Sequence, residues 1–353
     1  AAARSRRLAN GLKRLGVQKQ DRVATLAWNT HRHYEIYFAV SGSGAILHTI
    51  NPRLFPDQLA YILNHAEDEV LFIDLTFIPL LEKIAPELRF LKQVVVMTNR
   101  ENMPESPLPD AIPFLCYDAL VDSESEEFEW PAVDEESAAS LCYTSGATGN
   151  PKGVLYSHRA LVLQTYACCL SDGMGLSSHD VALPVVPMFH VNAWNMPYSA
   201  ALSGFKLIFP GSKMGDGAAL QALIENEGVN YAVGVPTVWL SLLNYLKDSG
   251  KQVPTLDRIG VGGSACPLSI MKDFETRYGV TTISGWGMTE MAPLGTFNVP
   301  RYPRENYSDE EYDALRARAG RSVFGVSMKI VDDDDHELPW DGIAFGALKA
   351  RGP

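Results

Sequence analysis

Leu141-Cys-Tyr-Thr-Ser-Gly-Ala-Thr-Gly-Asn-Pro-Lys-Gly-Val154 is the stretch on which the reading of this chain turns. It follows an apolar run and leads into another, Val154 to Tyr156. Between Thr144 and Gly153 it gathers the hydroxyls of Thr144, Ser145 and Thr148, the glycines Gly146, Gly149 and Gly153, and the cation of Lys152. Glycine permits left-handed backbone, so successive N–H groups can converge on an anion. Hydroxyls donate to phosphate oxygens, and a lysine supplies compensating charge. The spacing is not that of the GxxxxGK-Ser/Thr loop, because Gly146 to Lys152 reads GxxGxxK and Gly153 follows. A surface turn rich in Gly, Ser and Thr has the same composition, so the window alone leaves both readings open.

Outward from this loop, short apolar runs alternate with helical patterns. Val23 to Trp28, Ala45 to Ile50, Glu69 to Ile73 and Gln93 to Met97 read as strands, with helices at Tyr34 to Gly42, Asp57 to His65 and Leu75 to Ala85. Beyond the loop, strands are expected at Val181 to Val186, Phe205 to Phe209, Tyr231 to Val235, Arg258 to Val261 and Thr281 to Gly285. Helices at Ala193 to Ser203, Ala218 to Glu227, Val238 to Lys247 and Leu268 to Tyr278 separate them. Such alternation predicts an α/β fold with largely parallel sheets covered on both faces. Leu8, Leu12 and Leu15 give the N-terminal stretch one apolar helix face. Asn99 to Val133, rich in Pro, Glu, Asp and Ser, reads as a surface connection between a first α/β segment (1–133) and a second (134–353). Phe345 to Ala350 reads as a strand with no helix after it, so the chain is expected to be incomplete there.

Composition removes several function classes. The net charge of −12 argues against a nucleic-acid binder, which needs a basic face. No apolar stretch is long enough to span a membrane. The acidic runs Asp122 to Glu129 and Asp332 to Asp335 read as solvated loops. The 5 cysteines have no CxxC spacing and read as buried free thiols of a cytoplasmic protein.

Three further segments follow the loop. They are Pro187-Met-Phe-His-Val-Asn-Ala-Trp194, Gly262-Gly-Ser-Ala-Cys-Pro267 and Gly285-Trp-Gly-Met-Thr-Glu290. Together with the loop, and in this order, they resemble the motifs of the adenylate-forming superfamily: acyl-CoA synthetases, firefly-type luciferases and peptide-synthetase adenylation domains. His48-Thr-Ile-Asn-Pro-Arg53, Tyr156-Ser-His-Arg-Ala-Leu-Val-Leu163 and Gly234-Val-Pro-Thr-Val-Trp239 look most like bacterial medium- and long-chain fatty acyl-CoA ligases. Ala147 departs from the usual loop, where a threonine is common, and no phosphate contact is carried onto it.

The resemblance implies the large N-terminal domain of the acyl-CoA synthetase fold, with parallel sheets, helices and a smaller β subdomain. It implies ATP, Mg²⁺ and CoA as cofactors and a small carboxylic acid as substrate. The phosphates would be held by Thr144, Ser145, Gly146, Thr148, Gly149 and Lys152. The adenine would lie against Gly263, Ser264, Gly285, Trp286 and Gly287, and Thr289 would offer the phosphate a hydroxyl. Thr144 and Glu290 would ligate Mg²⁺, for which a carboxylate is a suitable hard ligand. His190 would stand where the nucleotide and acyl pockets meet. Val191, Trp194, Val235, Gly262 and Gly285 would line the acid, with Trp194 as the gate of an alkyl tunnel and Trp239 among the apolar pocket residues. Thr144, Lys152, His190, Thr289 and Glu290 would carry the chemistry.

Each assignment has a plainer counterpart. Trp286 and Trp194 could be packing residues, His190 a satisfied structural histidine and Glu290 a surface carboxylate. Peptide-synthetase domains carry an aspartate directly after the motif phenylalanine, whereas His190 follows Phe189 here. An acid without an ammonium group is therefore expected. The alternatives are a ligase for a short or functionalised acid, such as a methylthio or aromatic one, and an inactive nucleotide-binding relative. Lys152, Thr289 and Glu290 argue against inactivity, although binding alone would keep them too. The ribose-binding aspartate, a catalytic lysine and a mobile C-terminal lid domain are expected downstream of this chain, and Asp332 to Asp335 are not that aspartate. A homodimer is left open.

Overall fold

The computed structural model describes residues 1–144 and 149–352. The proposed phosphate-loop residues Ser145, Gly146 and Thr148 lie outside the described residues. The chain forms two compact units: Ala1–Arg159 with Val186–Pro197 and Phe209–Met214, and Ala160–Val185 with Tyr198–Ile208 and Gly215–Pro353.

The first unit contains α1 (Ala2–Arg14), β1 (Arg22–Leu26), α2 (His31–Gly42), β2 (Ile46–Thr49), α3 (Pro56–His65), β3 (Val70–Ile73), α4 (Ile78–Ile84) and β4 (Gln93–Val96). β5 (Phe114–Cys116), α5 (Tyr117–Asp122), β6 (Ala138–Thr144) and β7 (Lys152–Ser157) follow. Its 7-stranded sheet runs β5-β4-β3-β1-β2-β6-β7. Neighbours are parallel except β6 and β7, which form an antiparallel pair. The strands are apolar on both faces because helices cover both: Leu26, Leu71, Ile73 and Val94 are fully buried together with Leu59 and Ile62 of α3. The connection expected from Asn99 to Val133 is more ordered than its composition suggests. Phe114-Leu-Cys116 adds the edge strand β5, and α5 buries Tyr117, Leu120 and Val121. Two brief apolar runs there are masked by acidic and proline-rich flanks.

The second unit carries most of α6 (His158–Cys169), β8 (Val181–Pro184), most of α7 (Met196–Ser203), β9 (Lys206–Leu207), α8 (Gly217–Glu227), β10 (Tyr231–Gly234), α9 (Pro236–Ser249) and β11 (Arg258–Val261). It continues with α10 (Leu268–Tyr278), β12 (Thr281–Gly287), β13 (Leu294–Phe297), α11 (Asp309–Arg316), β14 (Arg321–Ser322), β15 (Ser327–Val331) and β16 (Ala347–Arg351). Its sheet order is β14-β13-β12-β11-β10-β8-β9. Strands β9 to β12 are parallel, and β13 and β14 join them antiparallel. β15 and β16 make a separate two-stranded ladder.

Two sequence expectations need correction. The helix expected from Ala193 begins at Met196, because Val191–Asn195 is a short turn of the opposite hand. Trp239, expected beside the acid, is fully buried in α9, at right angles to Phe274, with its indole N–H donating to the Gly234 carbonyl at 3.2 Å. It is core.

Candidate active site

In the first unit the described ends of the expected phosphate loop belong to the antiparallel pair β6 and β7. Thr144 closes β6, Lys152 opens β7, and the two are paired across the ladder. The Thr144 hydroxyl donates to the Lys152 carbonyl at 3.4 Å, and the Lys152 side chain is exposed. Gly149 has φ 94°, a conformation that favours glycine. The stem beneath is firmly held. Tyr143 faces Gly153, where a Cβ would lie 3.2 Å from the ring, so the ring lies across the glycine. Its hydroxyl meets His65 Nδ1 at 2.7 Å. The His48 ring packs on Tyr143, and His48 Nδ1 meets the fully buried Asp68 carboxyl at 2.7 Å.

The Pro187–Trp194 segment belongs to the same unit. Phe189 and Val191 are buried, Trp194 is half-buried and His190 is exposed. Desolvation by its surroundings, then the charge of Arg53, lowers the His190 pKa below the ordinary imidazole value. The Arg53 guanidinium lies 5.9 Å from the Phe189 ring centroid. A neutral imidazole beside a fixed cation can donate or accept a hydrogen bond near an anionic substrate. Trp194 stands in a turn whose five residues, Val191 to Asn195, all have positive φ, from 46° to 61°.

The second unit holds a cavity of about 250 Å³. One wall is the turn Gly263–Cys266, the floor is Ser284–Gly287 of β12, and the facing wall is Arg316–Ala319. Two glycines of the floor are dictated by close approach. A Cβ on Gly287 would sit 1.9 Å from the Pro293 carbonyl oxygen, and one on Gly285 would sit 2.8 Å from the Phe297 ring. The Trp286 ring lies across Gly295, where a Cβ would be 2.8 Å away. Gly262 is buried, and its N–H reaches the Gly234 carbonyl at 3.4 Å. Val235, expected beside the acid, stands behind Gly263, with its methyl 3.1 Å from where a Cβ there would be. The facing wall is tied down by Asn298, whose Nδ2 donates to the Leu315 and Arg318 carbonyls at 2.8 and 2.7 Å, and by the Thr296 hydroxyl, which donates to the Ala319 carbonyl. Burial pushes the Cys266 thiol up to about 11, so it is protonated at neutral pH. Thr289 and Glu290 follow the floor in a 3₁₀ turn, with the Glu290 carboxylate exposed.

The sequence-expected residues thus form two groups. Thr144, Gly149, Lys152, His190, Val191 and Trp194 belong to the first unit. Val235, Gly262, Gly263, Ser264, Gly285, Trp286, Gly287, Thr289 and Glu290 belong to the second. Sequence reasoning missed three contributors. Arg53 stands in a quoted motif, yet only the fold brings its charge to His190. Asn192 stands inside another, hidden among apolar neighbours. The wall at 316–319 has no motif; it exists because Thr296 of β13 and Asn298 just beyond it supply the donors that hold it. A glycine-floored slot with a flat ring suits a planar heterocycle, and a strand pair bearing a hydroxyl and an ammonium at its end suits an anion.

A family model described as AMP-binding enzyme matches residues 1–353. The 3-methylmercaptopropionyl-CoA ligase of Ruegeria lacuscaerulensis is 50% identical over 351 residues, covering 99% of this chain and 64% of the relative. The medium-chain-fatty-acid–CoA ligase of Ectopseudomonas oleovorans is 48% identical over 349 residues, covering 99% of this chain and 63% of the relative. Anthranilate CoA ligase AuaEII, crystallised in complex with anthranoyl-AMP, superposes with a TM-score of 0.84 over 96% of this chain and 61% of its own, at 24% identity. This last likeness is one of fold. The chain spans about 64% of the length of the relatives it matches. With its motifs in order and the family model matched from end to end, the chain belongs to the AMP-binding enzyme family.

Proposed function

We propose that the whole protein is an ATP-dependent acid–CoA ligase acting on a medium- or long-chain fatty acid. A carboxylate oxygen attacks the α-phosphorus of ATP, the bond to pyrophosphate breaks, and acyl-AMP forms. The CoA thiolate then attacks the acyl carbonyl and AMP leaves. The observation that carries this reading is the slot of about 250 Å³ floored by Gly285 and Gly287 and sided by Trp286, which suits adenine.

Charge accumulates on the phosphoryl oxygens as pyrophosphate departs, so donors fixed in advance do most of the work. Lys152, Thr144 and Thr289 supply donors, and the neutral His190 beside Arg53 orients the carboxylate. Mg²⁺ is typically held by one or two carboxylates together with phosphate oxygens. The exposed Glu290 carboxylate and the Thr144 hydroxyl fit that donor chemistry, and the metal when bound neutralises phosphate charge. Phe189, Val191 and Trp194 are apolar, which suits an alkyl tail. Among the described residues no helix is long and apolar enough to cross a membrane. All 5 cysteines are free thiols, which supports a cytoplasmic setting, although only Cys142 and Cys168 are buried and Cys116, Cys169 and Cys266 are partly exposed.

A second reading has a specific observation in its favour. The relative at 50% identity is named for 3-methylmercaptopropionyl-CoA, and the fatty-acid relative stands at 48%. An acid panel on the full-length enzyme separates the two. Each buried methylene contributes about 0.8 kcal/mol, roughly fourfold in kcat/KM, so activity should climb with chain length and break at a pocket-defined limit. If 3-methylthiopropionate outperforms octanoate, the functionalised-acid reading replaces this one.

A further inference from the structure

Val191, Asn192, Ala193, Trp194 and Asn195 have φ of 46°, 54°, 49°, 55° and 61°. Left-handed backbone is costly for an ordinary L-residue, so such a run persists only where its surroundings over-determine it. Asn is among the residues that tolerate this conformation best, and Asn192 is only 1% exposed. Its amide end lies 3.3 Å from the Tyr37 hydroxyl of α2 and 3.2 Å from the Ser140 hydroxyl of β6. The Tyr37 hydroxyl also reaches the Met188 carbonyl, and that of Ser140 the Leu47 carbonyl at 3.2 Å.

Each hydroxyl has one hydrogen, shared between its backbone carbonyl and Asn192 Oδ1. The Cys142 thiol of β6 lies 3.9 Å from the same oxygen. One amide oxygen therefore draws α2, β6 and the turn together, while Asn192 Nδ2 is buried with no hydrogen-bond partner among the described residues.

We propose that Asn192 is a positioning residue that locks the turn carrying His190 and Trp194 onto the strand carrying Thr144. Ser140 lies on β6, which ends at Thr144 and the expected phosphate loop, while His190 and Trp194 stand two residues to either side of Asn192. One amide therefore registers the acid-side turn against the phosphate-side strand of the first unit. The inference rests on the ligase reading above and names the group that aligns the two substrates of its first step.

The test uses the full-length enzyme and compares Asn192→Gly with Trp194→Ala. Glycine adopts the left-handed backbone without steric cost, so Asn192→Gly removes the amide while leaving the turn accessible. Misplacement on the ångström scale costs up to about 100-fold. Asn192→Gly should lower kcat/KM for pyrophosphate release by about tenfold or more and raise KM for both ATP and acid; Trp194→Ala should raise KM for the acid alone. Should Asn192→Gly fail to fold, the milder pair Tyr37→Phe and Ser140→Ala is expected to raise both KM values together. A rise confined to the acid, or unchanged KM values with only a lower Tm, would overturn the clamp. Wild-type enzyme releasing no pyrophosphate with any acid would sink the ligase reading itself, and the positioning role with it.

Discussion

The two regions that place the backbone most unusually do so by opposite means. In the second unit, Gly285 and Gly287 let β12 approach β13 so closely that no side chain would fit. In the first unit, five residues with side chains wind left-handed, held by contacts to their surroundings. The first device is written in residue type and costs little in the folded state. The second is written in partners far along the chain, since Tyr37, Ser140 and Asn192 are separated by more than 50 positions from one another. Glycine gives a rigid slot whose shape is fixed by the sheet. A clamped turn stores strain and can be released by one change.

The largest effect separating these devices is expected at Gly287. A methyl group there meets the Pro293 carbonyl oxygen at 1.9 Å, so β12 and β13 must part. Gly287→Ala should lower stability by about 3 kcal/mol, at the upper end of overpacking costs, and abolish detectable adenine-nucleotide binding. Thermal unfolding and calorimetry read both quantities. A Tm unchanged within a degree or two, with normal binding, would show that the slot is not built on this glycine.

A smaller effect of opposite character is expected at Ala193, whose φ is 49°. Glycine in place of alanine normally costs about 1 kcal/mol within a helix. Here the relief of left-handed strain offsets that cost, so Ala193→Gly should leave Tm unchanged or raise it slightly. A loss as large as in an ordinary helix would mean that the turn is not strained, and the contrast between the two units would collapse.

The same contrast explains what could be read in advance. The α/β class and most strands were legible because buried parallel strands are continuous apolar runs. Gly263, Gly285 and Gly287 stood in motifs visible in the sequence, and the structure adds the physical reason for a glycine there, a close neighbour where each Cβ would be. The reversed turn was not. Val191 to Asn195 carries the periodicity of a helix start, and nothing local reports that Asn192 finds Tyr37 and Ser140. Trp239 misled for a related reason, since an indole suits a pocket wall as well as a core until its neighbours Gly234 and Phe274 are known. The wall at Arg316 to Ala319 escaped because its donors, Thr296 in β13 and Asn298 just after it, lie elsewhere in the sequence.

The most direct test of the account is acid-dependent exchange of radiolabelled pyrophosphate into ATP by the full-length enzyme, without CoA. A reversible adenylation predicts exchange that requires a carboxylic acid and is strongest with an acid bearing an apolar tail. Tight nucleotide binding with no exchange for any acid would contradict it and leave a nucleotide-binding protein in its place.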